Sequence, residues 1–289
     1  MPYNRWVLLV SLLASLTVGP ACAAEPESAA EDMRERRRAQ LLEQMKKRAE
    51  ATSVRYQEGD REPKLVDSPI FRFDDQPTRI VDATMWVWTD AGRPVAFQKV
   101  EAMDNGQTFW TTCLASVDKN LLVVKWSDRR EFRSTEPGVE FRPLAGAAAV
   151  PAENAGRKLA ARKLVRDFSA RIYDVRLDTS EEMRLLPTPI LEYGDPETKS
   201  FRGAVFGLST RGTNPAVLIL LEPLAAADGG LVWHYAVARM TSCGVLLKHQ
   251  EKTVWEVDVH RESPRDFPTW TFFFSPRREL PDQAPSASN

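Results

Sequence analysis

"LLPTPILEYGDPE", residues 185–197, has a relative upstream in "LVDSPIFRFDDQP", residues 65–77. Setting Leu65 against Leu185 brings Pro69 onto Pro189, Ile70 onto Ile190, Phe73 onto Tyr193 and Asp75 onto Asp195. Gly92 and Gly212 share the same offset. A one-residue insertion near Asn214 then pairs Pro94 with Pro215 and Glu101 with Glu222. A longer loop at 225–231 brings Trp110 onto Trp233, Ala115 onto Ala238, Lys125 onto Lys248 and Phe132 onto Trp255. Matches that recur in order across two short gaps read as an internal duplication.

Each copy reads as an antiparallel meander. "VDATMWVWT" and "PVAFQKVEA" flank Asp90-Ala91-Gly92-Arg93, and "GAVFGLST" and "PAVLILLEP" flank Arg211-Gly212-Thr213-Asn214. Short glycine-containing loops between β-branched and aromatic runs are hairpin signals. Two more strands follow in each copy, "FWTTCLASV" with "LLVVKW" and "VWHYAVARM" with "VLLKH". Apolar residues occupy both faces of the hairpin strands, so covering on both sides is expected. "VEFRPL" (139–144) and "PTWTFFFSP" read as the closing strands of their own units. The prolines of 185–197 suit an edge strand, because they donate no ladder hydrogen bond.

The expected fold class is therefore a β-rich α+β protein. A first β unit spans 64–146, and a linker with a helix spans 147–183. A second β unit spans 184–275, and a disordered tail 276–289. Residues 24–63 hold a charged helix and a polar linker. Ser28 with Glu31 matches a capping box, and Leu41, Leu42, Met45 and Ala49 form a narrow apolar stripe. The many arginines and lysines around it read either as a basic arm or as a solvated face, and the interspersed acids favour the second. Ala161, Leu164, Val165, Phe168 and Ile172 predict that the inter-unit helix packs across a sheet.

The first 23 residues read as a signal peptide: Arg5, an apolar stretch from Trp6 to Val18, then Ala21-Cys22-Ala23 at the cut. Cleavage there leaves 266 residues with a net charge of −2. An extracytoplasmic location, periplasmic or secreted, follows. Gly19-Pro20 stops the apolar run too early for a membrane span. Gly19 also stands where a lipobox carries leucine, so a lipid anchor on Cys22 is not expected. The near-neutral charge gives no electrostatic case for nucleic acid. Cys113 and Cys243 would meet an oxidising compartment, where a bond between them is permitted.

No motif marks a catalytic, cofactor or metal site. No G-x-S-x-G elbow supports a triad of Ser242, His234 and Asp258. No C-x-x-C or H-E-x-x-H spacing supports a metal, and nothing marks Cys243 as a stabilised thiolate. Of the three histidines, His234, His249 and His260, His234 sits in a strand. Glu101 and Glu222 occupy matched positions, so a carboxylate pair between the units is one reading. The competing reading is that each ends a strand where the chain meets water. Asp75 and Asp195 suit turns, where Asp bonds backbone groups two residues on. Trp86 and Trp88 share one strand face: side by side they form either a binding platform or a core pair beneath a helix.

The run "MRLLPTPILEYGDPE…RGAVFGLSTRGTNPAVLILLEP…WHYAVARMTS", with "RKLVRDFSA" before it, resembles exported proteins typical of planctomycete bacteria. The resemblance covers 157–257 and the first unit only loosely; it implies an extracytoplasmic location and brings no activity or cofactor. A fainter likeness is to flavin-binding split barrels, although "RMTSCGVLLK" offers a phosphate only Arg239 and Lys248. The expected role is a non-catalytic binding or structural module whose partner is a protein or carbohydrate of the cell envelope. The alternatives are a hydrolase using Glu101, Glu222 and His234, or a flavin-binding protein of split-barrel type.

Overall fold

The protein is described by a computed structural model over residues 25–126, 130–174, 178–227, 229–259 and 267–277. The expected signal segment 1–23 with Cys22, and His260, lie outside the described residues; of the tail expected disordered over 276–289, Pro276 ends a strand and Arg277 is buried, and the rest from 278 lies outside them. The fold is β-rich α+β, built of antiparallel sheets with two α-helices among the described residues.

Helix α1 (Glu25–Glu50) starts upstream of Ser28. Among the described residues, those of α1 before Gln40 belong to one unit, and a second unit begins at Gln40. From there Leu41, Met45 and Ala49 are buried, one helical turn apart.

The first half of the body carries β1 (Ser53–Tyr56), β2 (Lys64–Leu65), β3 (Phe71–Asp75), β4 (Ile80–Asp90), β5 (Arg93–Asp104), β6 (Thr108–Ser116), β7 (Leu122–Lys125), β8 (Glu131–Arg133) and β9 (Arg142–Pro143). Strands β4 and β5 join through Ala91 and Gly92, both at positive φ (48° and 76°), with Asp90 opposite Arg93. Two positive φ values in a two-residue loop make a type I′ turn, whose twist matches that of the strands. The second half carries α2 (Asn154–Leu164), β10 (Phe168–Asp174), β11 (Thr179–Leu185), β12 (Leu191–Gly194), β13 (Phe201–Ser209), β14 (Val217–Ala225), β15 (Leu231–Arg239), β16 (Gly244–His249), β17 (Lys252–Val257) and β18 (Trp270–Pro276).

One sheet runs β18-β6-β5-β4-β2 with β3 beside β4; another runs β17-β16-β10-β11-β13-β14-β15-β9 with β12 beside β13; β1-β7-β8 form a third. Both faces of β4 and β5 are covered, as the sequence pattern requires. Trp86, Trp88 and Val100 pack with Met45, Trp126 and Phe132 on one side. Met85, Val87 and Phe97 pack with Val205, Leu218 and Leu220 of the second sheet on the other. Inside the second sheet, α2 adds Ala161 to a core of Phe168, Phe206 and Trp233.

Two expectations change. The helix of the second half ends at Leu164, so Phe168 and Ile172 belong to β10. Phe168 and Ala170 alternate inward, and residues 168–173 all pair with β16. The unit boundaries drawn at 146 and 184 also fail to separate the sheets. Strand β9, the expected closing strand of the first unit, pairs with β15 (His234 opposite Pro143). Strand β18, the expected closing strand of the second, pairs with β6 from Trp270 opposite Ala115 to Pro276 opposite Phe109. An open edge exposes unpaired backbone groups, and each half covers the edge of the other.

Candidate functional site: the polar contacts between the sheets

Two polar clusters join the two large sheets. In the first, Arg93 Nε and Nη2 donate to Glu222 Oε1 and Oε2 at 3.0 and 2.8 Å. Tyr193 Oη donates to the same carboxylate at 2.5 Å. The Arg93 guanidinium lies 4.9 Å from the centre of the Phe141 ring. Strand alternation turns Glu222, Leu220 and Leu218 to the same face, and this points Glu222 at the hairpin that carries Arg93. Burial pushes the Glu222 carboxyl above its ordinary value, against the lowering pull of Arg93 and Tyr193. Burial, then the Glu222 charge, holds the Tyr193 phenol well above its own.

In the second cluster Lys99 is 2 % exposed and Glu101 5 %. Lys99 Nζ donates to Asn214 Oδ1 at 2.7 Å, to the Met240 carbonyl at 3.1 Å and to the Pro215 carbonyl at 3.3 Å. Glu101 Oε1 lies 3.2 Å from the same nitrogen, yet it is buried and receives no hydrogen bond. Cys113 stands opposite Lys99 in the ladder. Its thiol is pushed up to about 12, by burial first and then by Glu101, with Lys99 opposing.

The structure thus buries both candidate carboxylates inside long strands, Glu222 at 3 % exposure. Neither ends a strand in water, and each answers to a different cation. The reason is packing: their strand face is the one pressed against the other sheet, so each buried charge needs a partner; Arg93 reaches Glu222 from the facing sheet, whereas Lys99 answers Glu101 from two positions back on the same strand. His234 stands opposite Glu222 in the ladder, and its Nδ1 lies 3.1 Å from the Val232 carbonyl. Trp86 and Trp88, at 0 and 2 % exposure, are core residues beneath α1, so they present no platform. The indole N–H of Trp86 goes to Thr84 Oγ1 at 2.9 Å.

Ser242, Cys243 and Asp258 converge on Arg239 rather than on His234: Arg239 Nη2 donates to their three backbone carbonyls at 3.3, 2.8 and 2.6 Å. Stacked on Phe267 at 4.5 Å, its guanidinium is lowered by burial to about 10. Those donors are therefore spent on backbone, whereas the split-barrel likeness would turn them to a phosphate. Among the described residues no disulfide joins Cys113 to Cys243, and no group of three His, Cys, Asp or Glu residues could hold a metal ion. Nor, among them, is any helix long and apolar enough to cross a membrane.

Asp195 behaves as a turn residue, its Oδ1 accepting from the Glu197 and Thr198 amides at 2.9 and 3.2 Å. Asp75 does not: it is buried at the end of β3, against the backbone of Gly212. Residues that the sequence reading passed over, Arg93, Tyr193, Lys99 and Asn214, carry the geometry. Their signal lay in the mismatches of the alignment: Tyr193 where the first copy has Phe73, and Asn214 before Pro215 where the first has Arg93 before Pro94.

On the surface, a cleft of about 340 Å³ is lined by Tyr235, Val237, Val254, Trp255 and Phe267, with Glu136 and Glu140 along it. It lies where β17 faces β9 and β15, and Arg142 Nη1 spans it to the Val254 carbonyl at 3.4 Å. Comparison with protein-family models, curated proteins and solved structures finds no match to this chain.

Proposed function

We propose that the protein is a non-catalytic, exported binding or structural module made of two duplicated halves. The observation that carries the reading is the way its candidate acids are used. Glu222 accepts three hydrogen bonds from Arg93 and Tyr193 and ties the sheets together, and Glu101 balances the charge of Lys99, which itself bonds across to Asn214, Pro215 and Met240. Duplication is supported by reciprocal contacts. The Gly92 turn packs on Gly194 and Pro196, and the Gly212 turn packs on Asp75. The two phrases at 65–77 and 185–197 thus each receive the hairpin tip of the other half.

Binding falls to the cleft between β17 and β15, where half-buried Trp255 stands with Tyr235 and Phe267 in the wall beside Glu136 and Glu140. Aromatic rings with a polar rim suit a protein or carbohydrate of the cell envelope. The test is fluorescence titration of the purified protein with soluble cell-wall oligosaccharides and peptides, repeated on Trp255→Ala. Saturable binding that weakens at least tenfold in the variant supports the reading. Hydrolysis of any of these probes that disappears in Glu101→Gln or Glu222→Gln, with circular dichroism unchanged, overturns it.

A further inference from the structure

We infer that Lys99 and Asn214 become joined by a covalent amide bond between their side chains, formed by the protein itself with Glu101 as proton relay. Lys99 Nζ sits 2.7 Å from Asn214 Oδ1, and with a C=O bond of about 1.23 Å the amide carbon is at most about 3.9 Å away. That is close to the separation at which held reactants go on to react. The carbonyls of Met240 and Pro215 fix the nitrogen in place. Glu101 Oε1 is 3.2 Å from Nζ, in a site shut off from water, and it has no hydrogen bond of its own. A carboxylate so placed is within reach to take a proton from the amine.

The step balances without any oxidant or added reactant. The Lys99 ammonium gives one proton to the Glu101 carboxylate, which leaves a neutral amine whose lone pair attacks Cγ of Asn214. The new C–N bond forms, the bond from Cγ to Nδ2 breaks, and the departing nitrogen takes the second proton of the amine through Glu101. Ammonia leaves, and one proton remains on Glu101. A buried ion pair is thereby exchanged for a neutral amide and a neutral acid, which removes the cost of holding two charges away from water. The bond would tie β5 to the loop before β14, across 115 residues of chain and across the two sheets.

The alternative source of ammonia loss at this residue is closed. Cyclisation of an asparagine onto the chain needs the backbone N–H of the next residue, and Pro215 has none. Asn105 before Gly106 keeps that route open elsewhere, so peptide mapping decides rather than total mass alone.

The experiment is mass spectrometry of the full chain, intact and after trypsin, on the wild type, Glu101→Gln and Asn214→Ala. The wild type is expected to be lighter by about 17 Da, one ammonia, with cleavage after Lys99 blocked. A branched peptide should join the segment holding Lys99 to that holding Asn214. Both variants should keep their full mass and be cut after Lys99. A wild type of unreduced mass with normal cleavage after Lys99 overturns the inference. Branched peptide persisting in Asn214→Ala overturns it as well. If Glu101→Gln does not fold, Asn214→Ala, a change in a half-buried loop, still decides.

Discussion

Arg93 in one sheet clamps Glu222 in the other through two near-parallel N–H···O bonds of 3.0 and 2.8 Å. The residues are 129 positions apart, and their pairing fixes how the two hairpins lie on one another. Removing the cation leaves a carboxylate at 3 % exposure with only the Tyr193 hydroxyl to compensate it. Breaking a fully buried pair costs about 3–5 kcal/mol, and the Arg93 side chain is 39 % exposed. Arg93→Ala is therefore expected to cost roughly 3 kcal/mol in urea unfolding, with Arg93→Lys between it and the wild type.

The same carboxyl gives a pH dependence with a definite sign. Burial raises Glu222 in the folded state, so over that range the folded protein holds more protons than the unfolded one. The stability that the group contributes is full below the ordinary glutamate value and declines as pH rises through the folded value. Glu222→Gln, which mimics the protonated acid, should flatten that part of the stability profile. An unchanged profile would separate Glu222 from the effect.

His249 works in the opposite direction. Burial lowers its imidazole, with Asp167 opposing, and the ring packs on Phe168 at 4.7 Å. The unfolded chain takes up a proton first, so stability should fall as pH drops below the ordinary histidine value of about 6.5. His249→Phe removes the slope between pH 7 and 5, as urea midpoints at several pH values will read.

Glycine 92 is required twice over. Its φ is +76°, and a Cβ there would overlap the Gly194 carbonyl oxygen. Gly106 shares the positive φ, at +89°, but has nothing within 4 Å. Gly106→Ala should cost about 1 kcal/mol, and Gly92→Ala roughly 2–3 kcal/mol. Equal losses in thermal unfolding would mean that the contact with Gly194 does not matter.

Cys113 should be inert. Its thiol is buried and pushed up to about 12, so little nucleophilic thiolate forms at pH 8. Iodoacetamide should leave Cys113 unmodified in the native protein and label it fully in urea, as peptide mass mapping shows.

The mismatch at Trp86 and Trp88 shows where sequence reading stops. Their spacing placed both rings on one strand face, and that holds. Whether the face met solvent or α1 depended on what lay opposite, and no local pattern encodes that. Trp86→Ala should accordingly cost about 3–5 kcal/mol, a core loss measured by urea unfolding. Glu222 tells the same story: alignment matched it to Glu101, but the sequence held no record of Arg93 approaching it across an interface, or of Asn214 meeting Lys99.

By itself the sequence determined the local repertoire. Runs of apolar, β-branched and aromatic residues made strands buried on both faces, Ala91-Gly92 made a tight turn, and the stripe at Leu41, Met45 and Ala49 made a helix with one buried face. These follow from steric and hydrophobic preferences acting over a few residues. The tertiary structure alone decided that β9 and β18 cross to opposite sheets, that the phrases at 65–77 and 185–197 receive each other's hairpin tips, and that Lys99 meets Asn214. Such contacts join residues some ninety positions apart or more, and they are set by how two twisted sheets stack. No window of sequence contains both partners.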